Sequence, residues 1–366
     1  MTGIAIFPSN TDSLLIGTKN AIYLSSDGGN SWSVFGLEDN YITTGLKIDP
    51  LDEKTIYAGT STGLYYSNDS GISWNKVEDD LLDVIINEIE INPSNPNSIF
   101  CAVFYNGLFK SYDHFNTWQE IITNSRNVIY EIAISADNSG VIYAAGRFSG
   151  LWKSEDLGQT WIKNDSGLDS YKITRVSVDP NDNKRVYCTD GRNFYKSSDG
   201  GNSWQVSNSG FNGAYIISIT VSPSHPYILF AGTDKGLYRS NNGGNDWEEI
   251  GFQEKMNFVF MRVSPNSPDT LFASFWNEPI YRSTDGGQTW ETIGEESLRD
   301  LHFSDLKFVE NFPNVLYLSA YKGGIYKSED YGETWQYVGF AGHNTNLLAI
   351  DPVSPNILYA GCWEEN

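Results

Sequence analysis

Positive charge is scarce in this chain of 366 residues: 24 Lys and Arg face 46 Asp and Glu, a formal net charge of −22. An acidic surface of that kind repels phosphate backbones and anionic headgroups, which excludes nucleic acid and membrane insertion. Cysteine is almost missing. Cys101, Cys188 and Cys362 are odd in number and lack CxxC spacing, so neither a disulfide framework nor a zinc site is expected and the three read as small core residues. No stretch approaches the roughly 18 apolar residues of a transmembrane helix. The N-terminal MTGIAIFPSNTD has neither the basic region nor the apolar centre of a signal peptide. The expectation is a soluble chain, with action inside the cell or within an exported parent both open. The four histidines, His114, His225, His302 and His343, include no pair at metal-ligand spacing, and no DxDxDG loop or phosphate-cradling glycine loop is present. No metal or cofactor is expected. Helical periodicity is lacking too, since no stretch of 10 residues or more carries a 3.6-residue apolar stripe, and the chain reads as all-β.

What the chain has instead is repetition. The octapeptide SSDGGNSW occurs at Ser25–Trp32 and again at Ser197–Trp204, and looser copies read SNDSGISW, SYDHFNTW, SEDLGQTW, SNNGGNDW, STDGGQTW and SEDYGETW. The eight tryptophans follow one another at steps of 42, 44, 43, 43, 43, 43 and 45 residues. A fixed period of about 40 to 50 residues is the mark of one supersecondary unit stacked many times, and it suits a four-stranded propeller blade. Because the repeat runs from end to end, residues 1–366 are expected to form one domain.

Residues 44–78 show the unit, with GLKID, TIYAG, GLYYS and SWNKV as successive strands. The first joint, DPLDEK, recurs as NPSNPN, DPNDNK, SPSHPY, SPNSPD and DPVSPN; proline fixes φ there and Asx side chains cap their own backbone. The second strand is apolar and small (YAG, CAV, YAAG, FAG, FAS), as a strand covered on both faces requires.

The octapeptide falls on the turn between the third and fourth strands. Ser-x-Asp-x-Gly-x-Thr-Trp resembles the Asp-box of the BNR-repeat propellers, a superfamily that includes sialidases, xyloglucanase-type glycoside hydrolases, the sortilin ectodomain and photosystem II assembly factors. The paired box positions are Asp27 with Trp32, Asp69 with Trp74, Asp113 with Trp118, Asp156 with Trp161, Asp199 with Trp204, Asn242 with Trp247, Asp285 with Trp290, and Asp330 with Trp335. Their roles are structural: the carboxylate accepts backbone N–H groups, glycine supplies a positive φ, and the indole is buried. Asn242 in the sixth copy and His114–Phe115 in the third depart from the pattern, so looser turns are expected there. Eight boxes imply eight blades, with the seven of many relatives as the alternative. Nine first-pair hairpins are present, so one is surplus: the terminal pair, residues 346–361, could complete a blade with residues 21–36 and displace residues 1–18, or begin a ninth blade of a longer parent, and ring closure is expected by pairing of N- and C-terminal strands.

Ligands are expected on the face opposite the boxes. Its loops and blade links are rich in rings, among them Tyr41, Tyr130, Tyr171, Tyr215, Phe258, His302 and His343. Of the three tryptophans outside the boxes, Trp152, Trp276 and Trp363, two fall in these loops. The candidates are Phe104, Tyr105, Arg147, Phe148, Phe275, Trp276, Glu278, Tyr321 and Trp363, with Glu364 and Glu365 as further acids. Aromatic and amide-bearing loops suit a protein partner and equally suit stacked sugar rings.

A sialidase-like activity would need an Arg-Ile-Pro motif ahead of the first box and three arginines, whereas the first arginine here is Arg126. A xyloglucanase-like hydrolase would need two carboxylates about 5 to 10 Å apart, in a cleft between two propellers. Asp190 and Asp234 are the weak catalytic candidates. The expectation is a non-catalytic, monomeric binding propeller that recognises a protein through its aromatic loops. A carbohydrate-binding or glycoside-hydrolase module is the alternative, and a piece of a larger secreted protein is a third reading.

Overall fold

An apolar second strand flanked by polar turns needs cover on both faces, and blade 2 has it. Its strands Thr43–Ile48, Ile56–Thr60, Gly63–Ser67 and Asn75–Lys76 pair antiparallel in chain order. Ala58 stands between Leu46 and Tyr65, and all five residues of the second strand are buried. The structure, a computed structural model, describes the chain except for residues 1–2, 8–12, 18–20, 28–30, 32, 38–42, 50, 78–83, 92–96, 112, 114–116, 123–127, 136–139, 254–256, 295–297, 299–300, 310–311, 340–343, 351–357 and 364–366. For residues 3, 4, 6, 14, 16, 17, 339, 344–350 and 358–363 only the backbone is described.

The described strands make eight antiparallel blades, not seven, and no α-helix long enough to cross a membrane is found among the described residues. Blade 1 spans Gly3 to Gly36, and blades 3 to 8 begin at Ile86, Val128, Arg175, Ile216, Phe258 and His302. The chain divides into two compact units. One holds residues 1–134, 140–162 and 347–365, with the first four blades; the other holds residues 135–139 and 163–346, with the last four. Within each unit the apolar clusters sit at the seams between consecutive blades. In the first, Leu15 and Ile22 pack with Ile56 and Ala58; in the second, Phe260 and Phe272 pack with Leu306 and Leu318. Each such side chain contributes roughly 1.5 to 3 kcal/mol by leaving water. Cys101 and Cys188 are buried in second strands, and burial pushes both thiols up.

Within the second unit Asn344 pairs with Tyr321 of the last blade. Within the first unit the strand Leu358–Trp363 runs beside Gly3–Ile6. The N-terminal segment is not displaced: Gly3–Ile6 pairs with Leu14–Gly17, which pairs in turn with Ile22–Ser25.

Among the described residues the Asp-box turns of blades 2, 4, 5, 7 and 8 are closed by one set of bonds. In blade 8, Ser328 Oγ donates to Asp330 Oδ1 at 2.7 Å and accepts the Gly332 N–H at 2.7 Å. Asp330 in turn accepts the Thr334 N–H at 3.0 Å and the Thr334 hydroxyl at 2.6 Å. The glycine is obligatory where the preceding blade crowds it: Gly158 has φ +77°, and a Cβ there would meet the Phe100 ring at 2.5 Å. The sixth box corrects the expectation of a looser turn. Asn242 Oδ1 still accepts the Ser240 hydroxyl and the Asp246 N–H, while its Nδ2 donates to Asp246 Oδ2 at 3.1 Å. Acid and donor have exchanged ends, so the bond survives with its polarity reversed. The equivalent segment of the third box, residues 114–116, lies outside the described residues, as does Trp32.

The residue between the box Asp and its Gly is left-handed, with φ 61° at Leu157, 74° at Gly286 and 58° at Tyr331. That twist aims its two backbone groups at different neighbours. The N–H goes to the first turn of its own blade (Leu157 to Gly140, Gly286 to Asp269, Tyr331 to Asn314). The carbonyl accepts from a cation on the third strand of the preceding blade: Lys110 bonds Leu157, Arg239 bonds Gly286 at 2.9 Å, and Arg282 bonds Tyr331 at 2.8 Å.

Candidate functional site

Antiparallel order places the first and third turns at one end of every blade and the second turn at the other, so within each blade the loop between second and third strands lies away from the box turn. On several blades this loop is a four-residue turn closed from its first carbonyl to its fourth N–H. Val103 to Asn106, Phe275 to Glu278 and Ala320 to Gly323 show the bond. Tyr105, Asn277 and Lys322 take the third place with φ of 60°, 64° and 56°, and Phe148 has φ 64° in the loop of blade 4. A left-handed aromatic costs on the order of 1 kcal/mol relative to glycine or asparagine. Tyr105 and Phe148 nevertheless hold 47% and 56% of their surface in solvent.

The sequence candidates fall into small groups. In the first unit Phe104 and Tyr105 meet edge to face with centroids 4.2 Å apart, and the Arg147 guanidinium lies 4.8 Å over the Phe148 ring. In the second unit Trp276 and Tyr321 come together with a residue from the blade link: Trp276 stacks on His302 at 4.9 Å and 22°, and Tyr321 tilts against Trp276 at 5.9 Å. Trp276 is 44% exposed, and His302 Nδ1 has no hydrogen-bond partner among the described residues. Lys322 Nζ sits 5.4 Å from the Tyr321 ring. Glu278 accepts the Tyr281 hydroxyl at 2.9 Å, which anchors the acid at the foot of the same hairpin.

One candidate is withdrawn. Phe275 is fully buried, packed against Phe252, Phe258 and Tyr281. It is the last residue of its strand, and alternation turns it into the seam while Trp276, one step on, turns out. Trp152 is bound inward through its Nε1 to the Ser149 carbonyl. Tyr130, Tyr171 and Tyr215 are exposed on their links. Tyr41, His343, Glu364 and Glu365 lie outside the described residues, as does the side chain of Trp363.

Asp190 and Asp234 have structural partners. Asp190 Oδ1 accepts the N–H groups of Arg192 and Asn193 at 2.8 and 2.7 Å, and its Oδ2 accepts the Asn193 amide and the Tyr195 hydroxyl, both at 3.2 Å. Burial, then the Asp190 carboxylate beside it, pushes the Tyr195 hydroxyl up to about 12. Asp234 Oδ1 accepts the Tyr215 N–H at 2.6 Å and its own N–H returns to the Tyr215 carbonyl, which ties the loop to the link. Neither acid faces the other across a groove that the described contacts reveal.

A polar cavity of about 250 Å³ at the box end of blades 5 and 6, lined by Arg185, Lys196 and Asn242 among others, is a feature that no motif announced. Its one sequence signal was Asn242 in place of the box acid.

The family profile Sortilin-Vps10 (sortilin, neurotensin receptor 3) matches residues 20–147 and again residues 149–275, and the BNR/Asp-box repeat profile matches residues 281–292. No curated protein sequence matches significantly. Among solved structures, an ancestral GH74 enzyme is similar at 17% identity and TM-score 0.52, covering 99% of this chain and 58% of its own. YCF48 from Cyanidioschyzon merolae is similar at 13% identity and TM-score 0.52, covering 72% of this chain and 89% of its own. The GH74 enzyme of Niastella koreensis is similar at 16% identity and TM-score 0.43, covering 91% and 71%. The chain thus spans about three-fifths of the ancestral enzyme, and at these identities the likeness concerns the fold.

Proposed function

The chain belongs to the Sortilin-Vps10 family of Asp-box repeat proteins, and from that premise we propose that it is a non-catalytic binding module recognising a protein partner through its aromatic hairpin tips. The observation that carries this is the Trp276–His302–Tyr321 cluster, an exposed indole backed by two rings of the following blade. Large rings that enter an interface already ordered lose little side-chain freedom, which is why Trp and Tyr dominate binding hot spots. The strained Tyr105 and Phe148 add to this reading, because a bulky left-handed residue persists where its exposed ring has a use. The commitment of Asp190 and Asp234 to turns weighs against hydrolysis, since a glycosidase needs two carboxylates free to reach one bond.

A carbohydrate ligand is the second reading, supported by the exposed Trp276 ring with the Glu278 carboxylate on the same hairpin. Both are tested by selecting peptides from a random library on the full chain and, in parallel, by retention on immobilised polysaccharides. The expected result is a set of peptides binding with micromolar affinity that lose at least tenfold in Trp276→Ala, as truncation of a hot spot costs about 2 kcal/mol or more. Polysaccharide retention abolished by Trp276→Ala, with no peptide enriched, would refute the protein reading and establish the other.

A further inference from the structure

The carbonyl–cation link that Lys110, Arg239 and Arg282 make is not made between blades 5 and 6, and the cavity lies there. At blades 5 and 6 the position of Lys110, Arg239 and Arg282 is held by Lys196. Its ammonium does not bond the left-handed Gly243 carbonyl; it turns to the Asn245 side-chain oxygen. Lys196 makes no ion pair among the described residues, and the Asp246 carboxylate acts on it only at longer range. Arg185, by contrast, is committed: Nε binds Asp179 at 2.7 Å, and NH1 donates to the Tyr227 hydroxyl at 2.7 Å while its guanidinium lies 4.3 Å over that ring. This fixes Tyr227, 57% exposed, as one wall. The lining contains two cations, hydroxyls, amides and tyrosines, and no carboxylate, in a chain whose acids outnumber its bases nearly two to one.

We propose that this cavity is a binding site for a small hydroxylated carboxylate of sugar-acid size, with Lys196 as the carboxylate's partner. Gln205, Asn242 and Asn245 face the hydroxyls, and Tyr227 faces the apolar side of the ring. The volume fits a ligand smaller than the drug-sized molecules that occupy roughly 300 to 1,000 Å³. An ammonium with only a neutral acceptor gains a charge-assisted bond when a carboxylate arrives. The site is separate from the aromatic hairpin tips, so it stands or falls independently of the protein-partner reading.

The test is calorimetric titration of the full chain with sodium glucuronate, with glucose as the neutral ring and acetate as the bare carboxylate. Glucuronate is expected to bind with a dissociation constant of about 1 mM or below, and glucose and acetate at least tenfold more weakly. Lys196→Met, which keeps the apolar stem, is expected to weaken glucuronate at least tenfold, and the exposed Gln205→Ala to weaken it less. The thermal midpoint of each variant reports whether the fold is intact. Glucose or acetate binding as tightly as glucuronate overturns the assignment, as does an unchanged affinity in folded Lys196→Met. Silence with glucuronate at about 20 mM, far above the expected constant, overturns it on the unaltered protein alone.

Discussion

Replacing Glu88 by Gln should stabilise the protein in mild alkali and leave it unchanged in mild acid. Glu88 lies in the first strand of blade 3, Ile86–Ile91, with one carboxyl oxygen buried and lacking a partner among the described residues. Burial first, then the like charge of Glu90, pushes its carboxyl up to about 7 from the ordinary 4.5. Lys47 opposes this only weakly, being held by Glu90 at 2.8 Å. A raised carboxyl means that the folded chain binds more protons than the unfolded one between those two values. The associated stability is therefore full below pH 4.5 and is lost as pH rises through about 7. At 1.36 kcal/mol per pH unit the displacement amounts to about 3 kcal/mol once the group is ionised. Gln keeps the volume and cannot ionise. Urea midpoints of Glu88→Gln and the parent should coincide at pH 5 and separate by up to about 3 kcal/mol in favour of Gln at pH 8.5. An offset of the same size and sign at both pH values would refute the reasoning.

The box carboxylates act at the other end of the pH scale. The Thr289 hydroxyl and N–H hold Asp285 down to about 2, and Asp69, Asp113, Asp156, Asp199 and Asp330 are likewise lowered. A lowered carboxylate stabilises above its unfolded value near 3.8 and loses that as pH falls through the folded value, so circular dichroism should show an acid transition below about pH 4 that sharpens with falling pH. Arg282→Met should cost about 2 kcal/mol or more in urea unfolding, since it strips Glu291, Glu333 and the Tyr331 carbonyl of one buried donor. Lys327→Met, which loses the exposed Glu329 and a distant contact with the Tyr317 ring, should cost under about 1 kcal/mol. Tyr105→Asn should raise the thermal midpoint, because Asn tolerates the left-handed φ of 60° at lower cost than a bulky ring, while weakening partner binding. A lowered midpoint would show that Tyr105 is a packing residue.

The blades were legible because tryptophan spacing reports the period directly, and the strand order follows from where Pro, Asx and Gly interrupt apolar runs. The site was legible only in outline. Trp276 and Phe275 are adjacent rings in an irregular loop, and only the strand's alternation, whose phase depends on pairing with Phe258, turns one to solvent and the other to the seam. Asn242 read as a defect because the exchange with Asp246 involves two positions at once. Beyond that one signal the cavity could not be read: Lys196 and Asn245 are 49 residues apart, and the space lies where Lys196 does not make the carbonyl bond that Lys110, Arg239 and Arg282 make.

The left-handed box residue has a consequence for how such a chain can grow. Blade 7 carries a donor, Arg282, on one edge and an acceptor, the Gly286 carbonyl, on the other, so it is a tile whose copies would fit head to tail without new chemistry at the joint. Duplicating a segment appends a blade already equipped for both neighbours, and nearest-neighbour coupling of this kind lets stability accumulate copy by copy. The joint between blades 5 and 6 is where one tile has given up its fastening, and a position released from holding the array together is free to drift toward a ligand.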